Sequence, residues 1–153
     1  MKSYNYLKLV ITMAISYVIM YAVMFLNVDE ASHIYFSITR CYMALLMVSP
    51  MAILMIAMMP KMYSSKGTNR IIVILSLAVF ISTVILLRTQ AFIGDKEYMK
   101  AMIPHHSSAI LTSKHAHIED ANVRKLAYSI IVSQEREILR MKFLLDTLNG
   151  NFK

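Results

Sequence analysis

The sequence predicts an all-α protein: three transmembrane helices followed by an extracytoplasmic antiparallel helical hairpin, which completes a four-helix bundle by oligomerisation. Two patterns carry that prediction. Three long stretches of the first half contain no charged residue, and the second half shows apolar residues recurring at a period of 3.6. With 58% hydrophobic and 16% charged residues, 3 Gly and 3 Pro, the composition excludes a disordered, collagen-like or disulfide-stapled chain. The charge is sorted along the chain. Six Lys/Arg and two Asp/Glu precede Arg88, and ten and seven follow from it onward.

The uncharged runs are Leu9 to Leu26, Cys41 to Met59 and Ile71 to Leu87. At ~1.5 Å per residue, with a turn of flanking residues, each spans the roughly 30 Å hydrocarbon core. The expected spans are about 9–27, 38–60 and 71–88, in a membrane domain of 1–90 that precedes a hairpin domain of 91–153. A cleaved signal peptide is the competing reading of the first run, given the basic leader Lys2 and Lys8. That run is too long for a signal-peptide core, and no small-x-small site precedes Asp29.

Orientation follows from the short segments. Lys2 and Lys8 precede the first span and Lys61, Lys66 and Arg70 separate the second from the third, whereas the first loop carries Asp29, Glu30 and His33 with Arg40 at its edge. The positive-inside rule places the N-terminus in the cytoplasm and, after three spans, the hairpin outside, in a bacterial cytoplasmic membrane. The net charge of +7 then reflects topology and the lipid surface, with no nucleic-acid partner implied. Cys41 is the single cysteine, so no intrachain disulfide forms.

In the hairpin, Gly94-Asp95 is the expected start of a first helix whose face collects Met99, Met102, Ile103, His106, Ile110, Ser113 and His117. A second begins near Asp120 or Asn122, carries Val123, Leu126, Ala127, Ile130, Gln134, Glu137, Ile138, Met141, Leu144, Leu145 and Leu148 on one face, and stops at Asn149-Gly150. The short link between them forces an antiparallel pair. Two helices bury too little surface to stand alone, so a homo-oligomer is expected.

Chemistry concentrates in the first of these helices. His105, His106, His115 and His117 fall within thirteen residues, just after Met99 and Met102. A turn centred near Asp120 would set Gln134 opposite His106, Ile138 opposite Met102 and Met141 opposite Met99, with Glu137 level with Ile103. The plain reading is that the methionines fill a core and that Glu137 and Gln134 face solvent or pair with Lys100 or Arg140. The other is a metal site, because a buried carboxylate costs several kcal/mol unless paired or ligated.

The stretch Asp95-x-x-Tyr98-x-x-x-Met102-Ile103-Pro104-His105-His106-x-x-Ala109-Ile110, with Ile130-Ile131-x-x-Gln134-x-x-Glu137-Ile138-x-x-Met141, resembles the bacterial domain-of-unknown-function 305 family over roughly Phe92 to Leu148. The resemblance implies a ferritin-like helical bundle linked with copper binding and resistance. It would place the metal at Met102, His105, His106 and Met141, with Gln134 and Glu137 as inward polar partners. Many relatives carry a methionine where this chain has Thr112, so His115 or His117 could replace a thioether. Relatives often contain two hairpins; here the second must come from another subunit.

Ligand chemistry favours Cu(I): thioether and imidazole are soft to borderline, Ca²⁺ and Mg²⁺ require an oxygen cage, and Glu97, Glu119, Glu135 and Glu137 are followed three residues later by Lys100, Asn122, Ile138 and Arg140 rather than by the His that a di-iron site requires. The full expected ligand set is Met99, Met102, His105, His106, Glu137 and Met141. Pro104 is expected to kink the helix and splay His105 from His106, or else to begin it. A second methionine row, Met43, Met47, Met51 and Met55 with Cys41 at its outer end, lies in the middle span and resembles that of eukaryotic-type copper uptake channels. Ordinary lipid-facing packing is its competing reading.

The function expected is thus a membrane-anchored copper-binding protein for sequestration, delivery or tolerance, with the bilayer and copper-handling proteins as partners and no catalysis. A copper-conducting oligomer and a metal-free scaffold for membrane assembly are the alternatives.

Overall fold

The computed structural model describes residues 2–150; Met1, the side chains of Lys2 and Ser3, and residues 151–153 of the expected hairpin domain lie outside the description. Among the described residues there are five α-helices and no strand: α1 Lys2–Val23, α2 Ile38–Met58, α3 Lys66–Thr89, α4 Asp95–His115 and α5 Ala121–Leu148, with a 3₁₀ turn at Ala31–His33. The chain divides into two compact units. One is formed by residues 1–24 and 39–92, the other by 25–38 and 93–153.

In the first unit, three helices are long and apolar enough to cross a membrane, over Tyr4–Val23, Ile38–Met58 and Lys66–Thr89. α1 starts earlier than the uncharged run and ends four residues short of the expected 27. Its first turn is retained because polar side chains there find partners: Asn5 Nδ2 donates to the Met62 carbonyl (3.0 Å) and Tyr6 Oη to Asn69 Oδ1 (2.7 Å). Asn69 Nδ2 donates in turn to the Tyr63 carbonyl (2.7 Å), and Leu9, Ile56 and Tyr63 close an apolar cluster beside this clasp. Ser65 caps α3 by accepting from the Thr68 amide.

α2 buries Ala44, Val48, Ala52 and Ile56, spaced by four, and runs unbroken through Pro50. The small residues of that stripe allow close helix approach. Most apolar side chains of α1 and α3, including Val10, Val18, Ile74 and Ile81, are exposed.

The second unit is built on α4 packed antiparallel against α5. Met99, Ile103, Ile110, Ile138 and Leu145 form its core, with Tyr35, Ile131 and Met141 against them. Asp120 caps α5 by accepting from the amides of Asn122 and Val123. Pro104 neither begins nor ends α4, which is continuous from Asp95 to His115 with Pro104 buried inside it. The ring costs the helix one hydrogen bond; Ile103 packs with Ile138 and Leu145 of α5, and Pro104 is itself fully buried.

The sequence left both edges of the hairpin for another copy to cover. The structure closes one with the chain's own segment 25–38. Ser107, fully buried on α4, accepts from the Asp29 amide (2.8 Å) and meets His33 Nδ1 at 2.9 Å. Asn27 Nδ2 donates to Ser108 Oγ, Lys114 pairs with Asp29 at 2.8 Å, Lys142 donates to Ser32 Oγ, and Tyr35 lies on the core.

Having accepted from the Asp29 amide, the Ser107 hydroxyl keeps a proton and a second lone pair with which to meet His33 Nδ1, while His33 Nε2 lies 3.7 Å from Glu30 Oε2. Burial pushes the His33 pKa below its ordinary 6.5; the Lys142 and Lys114 ammonium groups act in the same direction, and Glu30 and Asp29 oppose them. A histidine harder to charge when folded gives its full stabilisation above 6.5, and loses it as pH falls toward the depressed value.

Amide exchange across 25–38 is therefore expected to quicken as pH is lowered below about 6.5, after correction for intrinsic rates, while α5 core amides stay protected. Ser107→Ala orphans the Asp29 amide and should cost about 1–3 kcal/mol of local stability. Unchanged protection in that variant would show that the segment is held by other contacts.

Candidate metal centre

His106 is buried on the face of α4 that meets α5, and both of its ring nitrogens are engaged. Nδ1 lies 2.9 Å from the Met102 carbonyl, one turn back, and Nε2 lies 2.7 Å from Glu137 Oε2. A carbonyl can only accept, so Nδ1 carries a proton there and the ring orientation is fixed with Nε2 toward the carboxylate. Glu137 is half exposed, and its other oxygen accepts from Ser133 Oγ at 3.0 Å.

These contacts explain how a carboxylate stands in an apolar stripe. The His106 hydrogen bond first, then that from Ser133, holds the Glu137 carboxyl below its ordinary 4.5, against the small opposing effect of desolvation. Neither Lys100 nor Arg140 is needed for this. Lys100 is paired with Glu97 at 2.7 Å.

The register differs from the expected one by about a turn, since Glu137 rather than Gln134 meets His106. The reason is geometric. Side chains lean toward their own helix N-terminus, so in an antiparallel pair His106 leans away from the connecting turn and Glu137 leans toward it. Gln134 is half-buried one turn earlier on α5.

On the same hairpin, Met99 is buried and Met141 half-buried in the apolar cluster, and Met102 is half-buried on α4. His105 is exposed, its ring 6.1 Å from that of His106 and inclined at 74°. His115 Nδ1 donates to the Leu111 carbonyl (2.9 Å), again one turn back. It sits nine residues beyond His106, roughly 13 Å along α4, and is exposed. His117 lies past the end of the helix, 3.7 Å from Glu119, with both side chains in solvent. His115 and His117 are thus not brought to His106.

In the other unit, Met43 and Met47 are exposed on α2, while Met51, Met55 and Cys41 are half-buried. Among the described residues no three His, Cys, Asp or Glu side chains converge as a metal cluster. The hairpin that carries the oriented His106 imidazole also carries Met99, Met102 and Met141, and imidazole with thioethers is a donor chemistry that would suit a soft cation.

Sequence reasoning missed Ser133, Ser107 and His33. Ser133 stands four residues before Glu137, the spacing at which helix side chains meet, so a signal was present. Ser107 follows the paired histidines directly. Nothing periodic marks His33.

A chain with three long apolar helices and a methionine- and histidine-bearing hairpin defines an all-α class with a candidate soft-metal site. The chain belongs to the family described as domain of unknown function (DUF305), whose model matches residues 87–151. It is 41% identical over 107 residues to an uncharacterized protein of Acanthamoeba polyphaga mimivirus, covering 69% of this chain and 68% of that one. No solved structure matches it.

Stability that depends on the Glu137 carboxylate is present above the ordinary 4.5 and is lost as pH falls through its lowered folded value. In Glu137→Gln the acid limb of the stability curve should be shallower than in the wild type, measured by thermal unfolding in detergent between about pH 3 and 6. Superimposable curves would mean that the carboxylate is not held by His106.

Proposed function

We propose that this chain is a membrane-anchored copper-binding protein that holds Cu(I) for sequestration, delivery or tolerance. The observation that carries the reading is the anchoring of His106. Its Nδ1 is tied to the Met102 carbonyl, which commits Nε2 to a partner, and the thioethers of Met99, Met102 and Met141 are carried on the same hairpin. This is how ligating histidines are usually held, by a hydrogen bond on the nitrogen that does not bind metal. Copper would take Nε2 and thioether sulfurs, and Glu137 would remain beside it as a charge partner.

In the same reading α1 to α3 cross a membrane, with the basic N-terminus and α2–α3 connection on the cytoplasmic side and the hairpin on the other. The hairpin completes a four-helix bundle with a second copy. Leu126, Glu137, Leu144 and Leu148 fall on one flank of α5 at about 100° per residue, and all four are exposed. This flank bears the His106 contact, so a second copy covering it would bury the leucines and bring two sites together, with the exposed His105 available to the neighbour.

Competition of the full-length protein against a chromophoric Cu(I) chelator tests the site. His106→Ala should weaken Cu(I) binding by at least about tenfold. Met102→Leu conserves packing to within about 1.5 kcal/mol, so it should weaken binding without unfolding the hairpin. Unchanged affinity in both variants would exclude the site, and sedimentation with and without Cu(I) should show copper tightening association.

A further inference from the structure

We propose that the end of the first unit marked by Lys8, Lys61, Lys66 and Arg70 binds the phosphate headgroups of anionic phospholipids. The inference rests on the membrane reading of α1 to α3 given above.

Its first support is the partition of charge between the two units. Residues 25–38 and 93–153 contain nine Lys/Arg and nine Asp/Glu, whereas residues 1–24 and 39–92 contain seven Lys/Arg and no acid. The whole net charge of +7 is therefore carried by the unit with the exposed apolar helices. Two of the seven, Arg40 and Arg88, lie toward the opposite ends of α2 and α3. The other five are Lys2 and Lys8 of the first helix, Lys61 of the α2–α3 connection, and Lys66 and Arg70 in the first turns of α3, with no carboxylate in the unit to neutralise them.

The second support is that this end is built rather than loosely gathered. The bonds from Asn5 to Met62 and from Tyr6 to Asn69 pin the first turns of α1 against the α2–α3 connection. Lys8 is thereby held at the same end as Lys61, Lys66 and Arg70, and all four side chains are exposed. Tyrosines accompany them: the Tyr6 and Tyr63 rings are 5.5 Å apart, and Lys8 Nζ lies 4.5 Å over the Tyr4 ring. Tyrosine and lysine together at the end of apolar helices are interfacial anchors of a bilayer. A nucleic acid would meet the same charge, but the adjoining exposed leucine, valine and isoleucine side chains of α1 and α3 fit acyl chains and not a polyanion in water.

Native mass spectrometry of the detergent-solubilised full chain, titrated with dioleoyl phosphatidylglycerol or dioleoyl phosphatidylcholine, tests the proposal. The expected result is phosphatidylglycerol retained at least about tenfold better than phosphatidylcholine, with the preference shrinking in high salt. The preference should be lost in K61Q/K66Q/R70Q and kept in K61R/K66R and in R88Q. Equal retention of the two lipids, or a preference that survives the triple substitution, overturns it. Competition by millimolar inorganic phosphate would instead assign the site to free phosphate and overturn the lipid assignment. A chain that needs detergent but shows no preference refutes this inference alone; one that stays monodisperse without detergent refutes the membrane reading itself.

Discussion

Two packed helices have two open edges, and the stability of the α4–α5 hairpin depends on how those edges are closed. Ser107 is the pivot on one side. It is fully buried, and through one hydroxyl it satisfies the Asp29 amide and His33 Nδ1, so a segment lying between α1 and α2 in sequence becomes a third layer of the hairpin. Lys114 and Lys142 extend the same attachment from α4 and α5. Tyr35 of that layer packs against the apolar cluster of the hairpin and would be withdrawn from it without the attachment.

The other edge is where the chemistry lies. His106 and Glu137 meet there at the border between core and solvent, which lets the imidazole be buried and the carboxylate remain half hydrated. A carboxylate in full burial would need a second strong partner; at this border one imidazole and the Ser133 hydroxyl suffice. The arrangement also separates roles along α4. Ser107 faces the covering segment, His106 faces α5 and His105 faces outward, three directions from three consecutive residues because successive helix positions turn by about 100°.

Membership of the family was legible from the hairpin motif, and so was the helical pairing of α4 with α5. The apolar period, the Asp120 cap and the stop at Asn149 are local features whose physics lies within a few residues. The Glu137 puzzle was legible as a puzzle: a carboxylate in an apolar stripe demands a partner, though spacing alone set it one turn from His106. Of the two readings of Pro104, the one that keeps it inside the helix holds, since α4 runs from Asp95 to His115 with Ile103 and Pro104 both buried.

The sequence by itself determined the helices, their order, the segregation of charge from apolar length and the pattern of donors on α4 and α5. Each of these depends on periodicity or composition, which are properties of neighbours along the chain. Tertiary structure alone decided that residues 25–38 belong with the hairpin, that His33 is buried against Ser107, and that Glu137 is the partner of His106. Those outcomes depend on which side-chain directions coincide across 31 and 74 residues of sequence. A one-dimensional pattern holds no record of such directions, because they follow from the lean of side chains along two packed helices and from the path of a loop with no period of its own.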